Sequence, residues 1–165
     1  MWALERGKVI VRRSSHNDVL AIKDRLRKTD VEEIWASTHM KPEEALIHSR
    51  SVSSCCQTVL YKCSPVAIFG TARIPDRPQV GGVWFLATDD LRVMWLSFLR
   101  MSRECVSRML DEYPLLFNWV DARNVESIAW LKWCGAKIEK PKPFGPDKMP
   151  FHFFTIKRSD LCVQR

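Results

Sequence analysis

Three strand-like runs joined by very short turns constrain the fold of this chain more than any other feature of its sequence. The runs are CCQTVLYK, PVAIFGTARI and GGVWFLAT, and proline and glycine mark the turns between them. Because such short connections join antiparallel neighbours, the runs predict an antiparallel meander. A long segment from about Asp89 to Tyr113 follows, and its apolar residues recur at helical spacing. The sequence therefore predicts a sheet that is covered by a long helix.

The remaining segments extend this sheet and place helices around it. KVIVRRSS predicts a strand before three short helices, and LLFNWVDA predicts a strand after the long helix. SIAWLKW predicts a helix that ends at Gly135, and AKIEK and FHFFTIKR predict two final strands. This order is typical of an α+β fold with a mixed central β-sheet flanked by helices. We expect a single domain over residues 1–165, with its core at about 8–158.

The stretch NWVDARNVESIAWLKWCGAKI carries a family likeness. A strand leads through an asparagine into a helix with spaced apolar residues, and a glycine precedes the next strand. Together with the order of elements, this arrangement resembles the Gcn5-related N-acetyltransferase (GNAT) superfamily. The resemblance implies a GNAT-like single domain in which this stretch completes an acyl-CoA pocket. Asn124 would belong to that pocket if the chain were active.

The segment TDDLRVMWLS, at the start of the predicted long helix, departs from the GNAT pattern. Enzymes of the superfamily bind pyrophosphate there on the backbone N–H groups of a glycine-rich turn, whereas this segment has no glycine. Asp89 and Asp90 would cap the helix themselves and repel phosphate, and Arg92 would offset that repulsion only in part. Trp130 and Trp133 stand near the place of a proton-donating tyrosine. The sequence therefore predicts a degenerate acyl-CoA site, no cofactor and no catalytic residue.

A narrower resemblance points away from catalysis. VWFLATDDL, SRMLDEYPLLFNWVDARN, IAWLKWCGAKI and FHFFTIKR are similar to segments of the small internal virion protein of autographiviral short-tailed phages. That family has a degenerate GNAT-like layout and assists assembly of the internal core of the phage head. The resemblance implies a non-enzymatic virion protein, made in the host cytoplasm and located in the capsid interior or at the head–tail junction. Its partners would be other core, portal or junction proteins.

Two further functions stay open on the sequence alone. The first is an active GNAT-type N-acetyltransferase that uses acetyl-CoA, against which the missing glycine turn counts. The second is a capsid-interior protein that binds packaged DNA non-specifically, since the formal net charge is +7 and would reduce repulsion by phosphates. The basic residues are scattered among acidic ones, which argues against sequence-specific binding.

The remaining predictions concern the cysteines, membrane contact and the tryptophans. The six cysteines form no C-x-x-C pair, so we expect reduced thiols and no metal site. No apolar run approaches the roughly 20 residues that span a bilayer, so we expect no membrane contact. Trp2, Trp35 and Trp133 are not clearly placed on predicted core elements, and tryptophan is enriched at interface hot spots. These three residues are the predicted contacts with partner proteins.

Overall fold

The computed structural model describes residues 2–161 of the chain. A nine-stranded sheet forms its centre. The strands are β1 (Leu4–Arg6), β2 (Val9–Arg13), β3 (Ser53–Tyr61), β4 (Ser64–Ile74), β5 (Arg77–Ala87), β6 (Leu115–Asp121), β7 (Lys137–Ile138), β8 (Lys142–Phe144) and β9 (Met149–Lys157). The helices are α1 (His16–Ile22), α2 (Lys28–Thr38), α3 (Pro42–Val52), α4 (Trp95–Glu112), α5 (Val125–Trp133) and α6 (Arg158–Leu161), with a 3-10 helix at Asp89–Met94.

The sheet is mixed, because one pair of neighbouring strands is parallel. Its strand order is β1-β2-β3-β4-β5-β6-β9-β7, and β8 pairs with β9. Neighbouring strands are antiparallel except β5 and β6, which are parallel. The predicted meander corresponds to β3, β4 and β5. The predicted α+β class, with a mixed central sheet flanked by helices, is confirmed.

Each face of the sheet has its own hydrophobic core, because successive strand residues point to opposite sides. On one face, Phe98 and Met101 of α4 pack with Phe69 and Leu116 of the strands. On the other face, the helices α1, α2 and α3 pack their apolar residues against Ile68 of β4. The helices before β3 therefore cover one side of the sheet, and α4 and α5 cover the other.

The predicted long helix is divided into two elements. Residues 89–94 form the 3-10 helix, in which the N–H of Leu91 donates to the C=O of Thr88 at 3.2 Å. Leu91 and Met94 are both buried in the core under α4, and their spacing of three residues suits the repeat of a 3-10 helix. The prediction of one continuous helix from Asp89 is therefore wrong, because residues 89–94 form a separate 3-10 helix before α4 begins at Trp95.

Candidate active site

The parallel pair β5 and β6 opens shortly after it forms. Their backbone pairing consists of three residue pairs and ends at Gly82 and Phe117. One residue further, the side-chain Nδ2 of Asn118 donates to the C=O of Val83 at 2.6 Å, so a side chain replaces the backbone partner. Residues of both strands then line a cavity of about 340 Å³. The sheet therefore contains an opening between two strands that are held together at one end.

The cavity is lined from both faces of the sheet. On the side of α4 and α5, the rings of Phe85, Phe98 and Trp130 have centroids 5.0 to 5.5 Å apart. On the side of α2 and α3, Trp84 and Leu86 form part of the wall. The opening thus joins two spaces, which we name the α4 compartment (Phe85, Phe98, Met101, Trp130) and the α2 compartment (Glu33, Trp84, Trp119, Phe144).

Helix α2 crosses the opening and is tied to the ends of both strands. The carboxylate of Asp30 pairs with Arg27 at 2.7 Å and accepts a hydrogen bond from the N–H of Ala87, the last residue of β5, at 2.8 Å. One turn later, Oε2 of Glu33 accepts a hydrogen bond from Nδ2 of Asn124, which follows β6, at 2.8 Å. Residues three apart share one side of a helix. The helix therefore presents both carboxylates to the opening.

Glu33 differs from Asp30 because it has no ion pair within the described part of the chain. Its hydrogen bond comes from the neutral amide of Asn124, whereas Asp30 is paired with a guanidinium. Glu33 is half-buried. Burial of its carboxyl group raises the pKa of Glu33 to about 7, the hydrogen bond from Asn124 opposes this rise, and the charge of Asp30 adds to it. A carboxyl group with a pKa near 7 is suited to proton transfer at neutral pH.

The α4 compartment contains a hydrogen-bond donor without a partner. The indole Nε1 of Trp130 is buried and makes no hydrogen bond to any residue in the range 2–161. Contacts with the rings of Phe85 and Phe98 hold the indole in place. Buried indole N–H groups usually find an acceptor. Trp130 also lines the cavity, so this unpaired donor belongs to the wall of the cavity.

The turn between β5 and α4 carries two aspartates, Asp89 and Asp90, and each is exposed and lies near an arginine. Arg92 lies 3.9 Å from the carboxylate of Asp89, and Arg25 forms an ion pair with Asp90. The prediction that these aspartates cap the long helix is wrong. They begin the 3-10 helix instead, and the first turn of α4, which starts at Trp95, has no acidic residue.

The three tryptophans predicted to contact partners lie in separate regions. Trp35 and Trp133 are 53% and 43% exposed. Trp35 stacks on His39, and the guanidinium group of Arg103 lies 4.0 Å from the ring of Trp133. Trp2 is half-buried and packs against the core under α4. Their contacts with partner proteins stay predictions.

The cysteines and the possible metal ligands of residues 2–161 form neither disulfides nor a metal site. Within this range no group of histidine, cysteine, aspartate and glutamate side chains could hold a metal ion. The five cysteines described are free thiols, and Cys162 lies outside the described residues. Cys134 is fully buried, and burial raises its pKa to about 11. None of the helices in this part of the chain has the length and apolar character needed to cross a membrane.

Comparison with solved structures identifies the fold. The aminoglycoside acetyltransferase AAC(6')-Ib, in complex with ribostamycin and coenzyme A, is similar with a TM-score of 0.70 and 16% identity, covering 96% of this chain and 98% of that one. The ribosomal-protein-S5-alanine acetyltransferase of Vibrio fischeri has a TM-score of 0.68 and 13% identity, covering 98% and 99%. A GNAT-family acetyltransferase of Bacillus anthracis has a TM-score of 0.70 and 9% identity, covering 96% and 99%. No family model and no curated protein sequence matches the chain.

These similarities correct the function expected from the sequence. The expectation of a non-enzymatic phage assembly protein is wrong, because the structures that match nearly the whole chain are acetyltransferases. Nothing in the comparisons supports a phage core protein or a virion location. The expectation of no cofactor is not supported either, since AAC(6')-Ib is described with coenzyme A. Contacts with partner proteins or with DNA stay predictions. The chain has the fold of the GNAT acetyltransferases, with a cavity where its parallel strands separate.

Proposed function

We propose that this chain is an N-acyltransferase that moves an acyl group from acyl-CoA to a primary amine. The observation that carries the proposal is the cavity through the opened pair β5 and β6, with Glu33 on its α2 side. A thioester and an amine that enter from opposite faces would meet inside this opening. Holding two reactants in one place is the main requirement of a transfer between two substrates. The shared fold of solved acetyltransferases supports the same reaction class.

The α4 compartment has residues that fit the acyl-bearing arm of acyl-CoA. Its walls are largely aromatic and apolar, and the unpaired indole N–H of Trp130 would donate to a carbonyl group there. No acidic residue and no side-chain cap occupies the first turn of α4, and the N–H of Trp95 already donates to the C=O of Arg92, so only the N–H groups after Trp95 would face an anion. Arg92 is exposed just before this helix, where it lies 3.9 Å from Asp89 and 3.1 Å from Glu126 of α5. Trp130, the first turn of α4 and Arg92 would hold the carrier, which supplies the activated acyl group.

Glu33 would manage the protons of the reaction. As a carboxylate it would accept a proton from the ammonium group of the acceptor, which frees the nitrogen lone pair for attack on the thioester carbonyl. The C–N bond forms, the C–S bond breaks, and the sulfur takes up a proton. The balance is one ammonium ion and one thioester converted into one amide, one thiol and one proton. A pKa of about 7 lets Glu33 be unprotonated before the reaction and hold a proton during it.

Calorimetry with acetyl-CoA and an assay of thiol release test this proposal. Acetyl-CoA should bind saturably, and primary amines should increase thiol release. Glu33→Gln should lower the rate by about 10²- to 10⁴-fold, the usual contribution of a general base, and should leave the affinity for acetyl-CoA unchanged. Glu32→Gln is the matched control, because Glu32 is the preceding residue and is exposed. Absence of saturable heat at millimolar acetyl-CoA, together with no amine-dependent thiol release, would contradict the proposal.

A further inference from the structure

The walls of the α2 compartment indicate which amines would be acylated. We propose that the acceptor is a primary amine with a single positive charge on an aromatic or otherwise apolar body. This inference rests on the proposed acyl transfer and concerns the acceptor alone. Four features of the cavity carry it: the sign of its charges, their number, the rings in its wall and the state of its hydroxyl groups.

The sign of the charges assigns each substrate to one face of the sheet. The residues that line the cavity include the carboxylates of Asp30 and Glu33 and the imidazole of His48, but no lysine or arginine in the described part of the chain. Carboxylates at a few ångströms repel a polyanionic carrier and attract an ammonium ion. Arg92 and the first turn of α4 lie on the other side. Acyl-CoA would therefore enter the α4 compartment, and the amine would enter the α2 compartment.

The number of uncompensated charges limits the acceptor to one ammonium group. Asp30 and Arg27 are 3% and 7% exposed and neutralise each other. Asp121, at the end of β6, is paired with Arg123 at 2.5 Å. Burial acts to raise the pKa of Asp121, but hydrogen bonds from Arg123 outweigh it and lower that pKa. Among the described residues that line the wall, Glu33 is the carboxylate without an ion pair, and a second ammonium group would lose its hydration without gaining a partner.

Aromatic rings form much of the remaining wall. Trp119 and Phe144 are stacked with their centroids 4.6 Å apart, and the ring of Phe151 lies 5.3 Å from that of Phe144. Trp84 contributes from β5, and its indole N–H already donates to Oγ of Ser53 at 2.8 Å. A wall of this kind gains binding free energy by burying apolar surface and by ring contacts. It therefore favours an amine whose body is aromatic or alkyl.

Two hydroxyl groups in the wall are already used within α2. Oγ of Ser37 and Oγ1 of Thr38 both donate to the C=O of Ile34, at 3.1 and 2.9 Å. An acceptor with many hydroxyl groups would have to give up water and would find few free partners in return. The compartment therefore disfavours polyhydroxylated amines as well as polyamines.

Competition among three amines tests the inference. The probes are 2-phenylethylamine, which has one charge and a ring, ethylamine, which lacks the ring, and kanamycin, which has several amines and hydroxyls. We expect kcat/KM for 2-phenylethylamine to exceed the other two values by roughly tenfold or more, as expected when an apolar group fills a matching pocket. Calorimetry without acetyl-CoA should show the same order of affinities. A preference for kanamycin, or equal values for ethylamine and 2-phenylethylamine, would overturn the inference.

Two matched variants test whether the preference for 2-phenylethylamine arises in the α2 compartment. Phe144→Ala should reduce kcat/KM for 2-phenylethylamine far more than for ethylamine and should leave the affinity for acetyl-CoA unchanged. Phe117→Ala is the control, since Phe117 belongs to the same group of rings but does not line the cavity. Equal effects of the two variants on 2-phenylethylamine would overturn the inference.

If acetyl-CoA binds and ethylamine or kanamycin is the better acceptor, the acyl transfer stands and only the acceptor class is wrong. If no amine releases thiol, the proposed function fails, while calorimetry with the amines still decides the specificity of the compartment.

Discussion

The turn after β5 and the opening beside β5 belong to one proposed substrate path, yet they are built in different ways. In the turn, the side chains of Asp89 and Asp90 are 68% and 52% exposed, and their arginine partners are exposed as well. In the opening, the side chains of Asp30 and Arg27 are 4% and 8% exposed. Exposed ion pairs contribute little to stability and exchange easily with water, whereas buried groups depend on each other. The missing glycines at the exposed turn therefore do not indicate whether the cavity is intact, because buried contacts elsewhere maintain it.

The largest expected effect concerns the buried pair that holds α2 to β5. Asp30→Ala should lower the free energy of unfolding by about 3 to 5 kcal/mol, because it leaves the guanidinium of Arg27 buried without a partner. The N–H of Ala87 would lose its acceptor as well. Urea denaturation measures the change. Asp90→Ala, at the exposed turn, is the matched control and should cost less than about 1 kcal/mol. Similar losses in both variants would remove the distinction between the two regions.

The second effect concerns the pH dependence of stability at Glu33. Its pKa is raised from 4.5 to about 7 in the folded protein, so the folded state binds this proton more tightly than the unfolded state. Stability should therefore fall as pH rises from about 4.5 to about 7 and then stay level with respect to this group. Glu33→Gln should remove that slope and stabilise the protein above pH 7 by about 3 kcal/mol. Denaturation series at several pH values measure this difference, and Glu32→Gln should keep the slope. An unchanged slope in Glu33→Gln would show that its carboxyl group is not buried as described.

The third effect is the pH dependence of catalysis. If Glu33 accepts the proton, kcat/KM should fall about tenfold for each pH unit below its pKa of about 7. Rates with acetyl-CoA and one amine between pH 5 and 9 measure the profile. Asp90→Asn should leave the inflection in place, because this carboxyl group is exposed and lies at the turn. An inflection near the ordinary pKa of a carboxyl group would show that the base is not a carboxyl group with a raised pKa.

The smallest effect should come from the turn itself. Asp89→Asn should tighten acetyl-CoA binding and Arg92→Ala should weaken it, in each case by less than about tenfold, because water and salt screen exposed charges. Calorimetry at low and physiological salt measures both changes, which should shrink as salt rises. A hundredfold change in either variant would show that the turn controls carrier binding, and the two regions would then contribute alike.

Local features of the sequence sufficed to predict most of the fold. Periods of two and of about 3.6 residues located most of the strands and helices, and Ser15 caps α1 by accepting a hydrogen bond from the N–H of Asp18. Gly135 follows α5 with a φ of +83°, a conformation that glycine adopts without strain. The division of the long helix could not be read from its pattern, because Leu91 and Met94 fit an α-helical stripe as well as a 3-10 helix.

The sequence by itself determined the order of most elements, the GNAT-like layout and the missing glycines before α4, since each of these depends on residues that are neighbours in the chain. Only the tertiary structure decided where the chemistry can occur. Asp30 meets Ala87 across 57 residues and Glu33 meets Asn124 across 91, and in the sequence both acids look like ordinary residues at the start of a helix. A pKa depends on burial and on nearby charges, and both are set by parts of the chain that come together only when the protein folds.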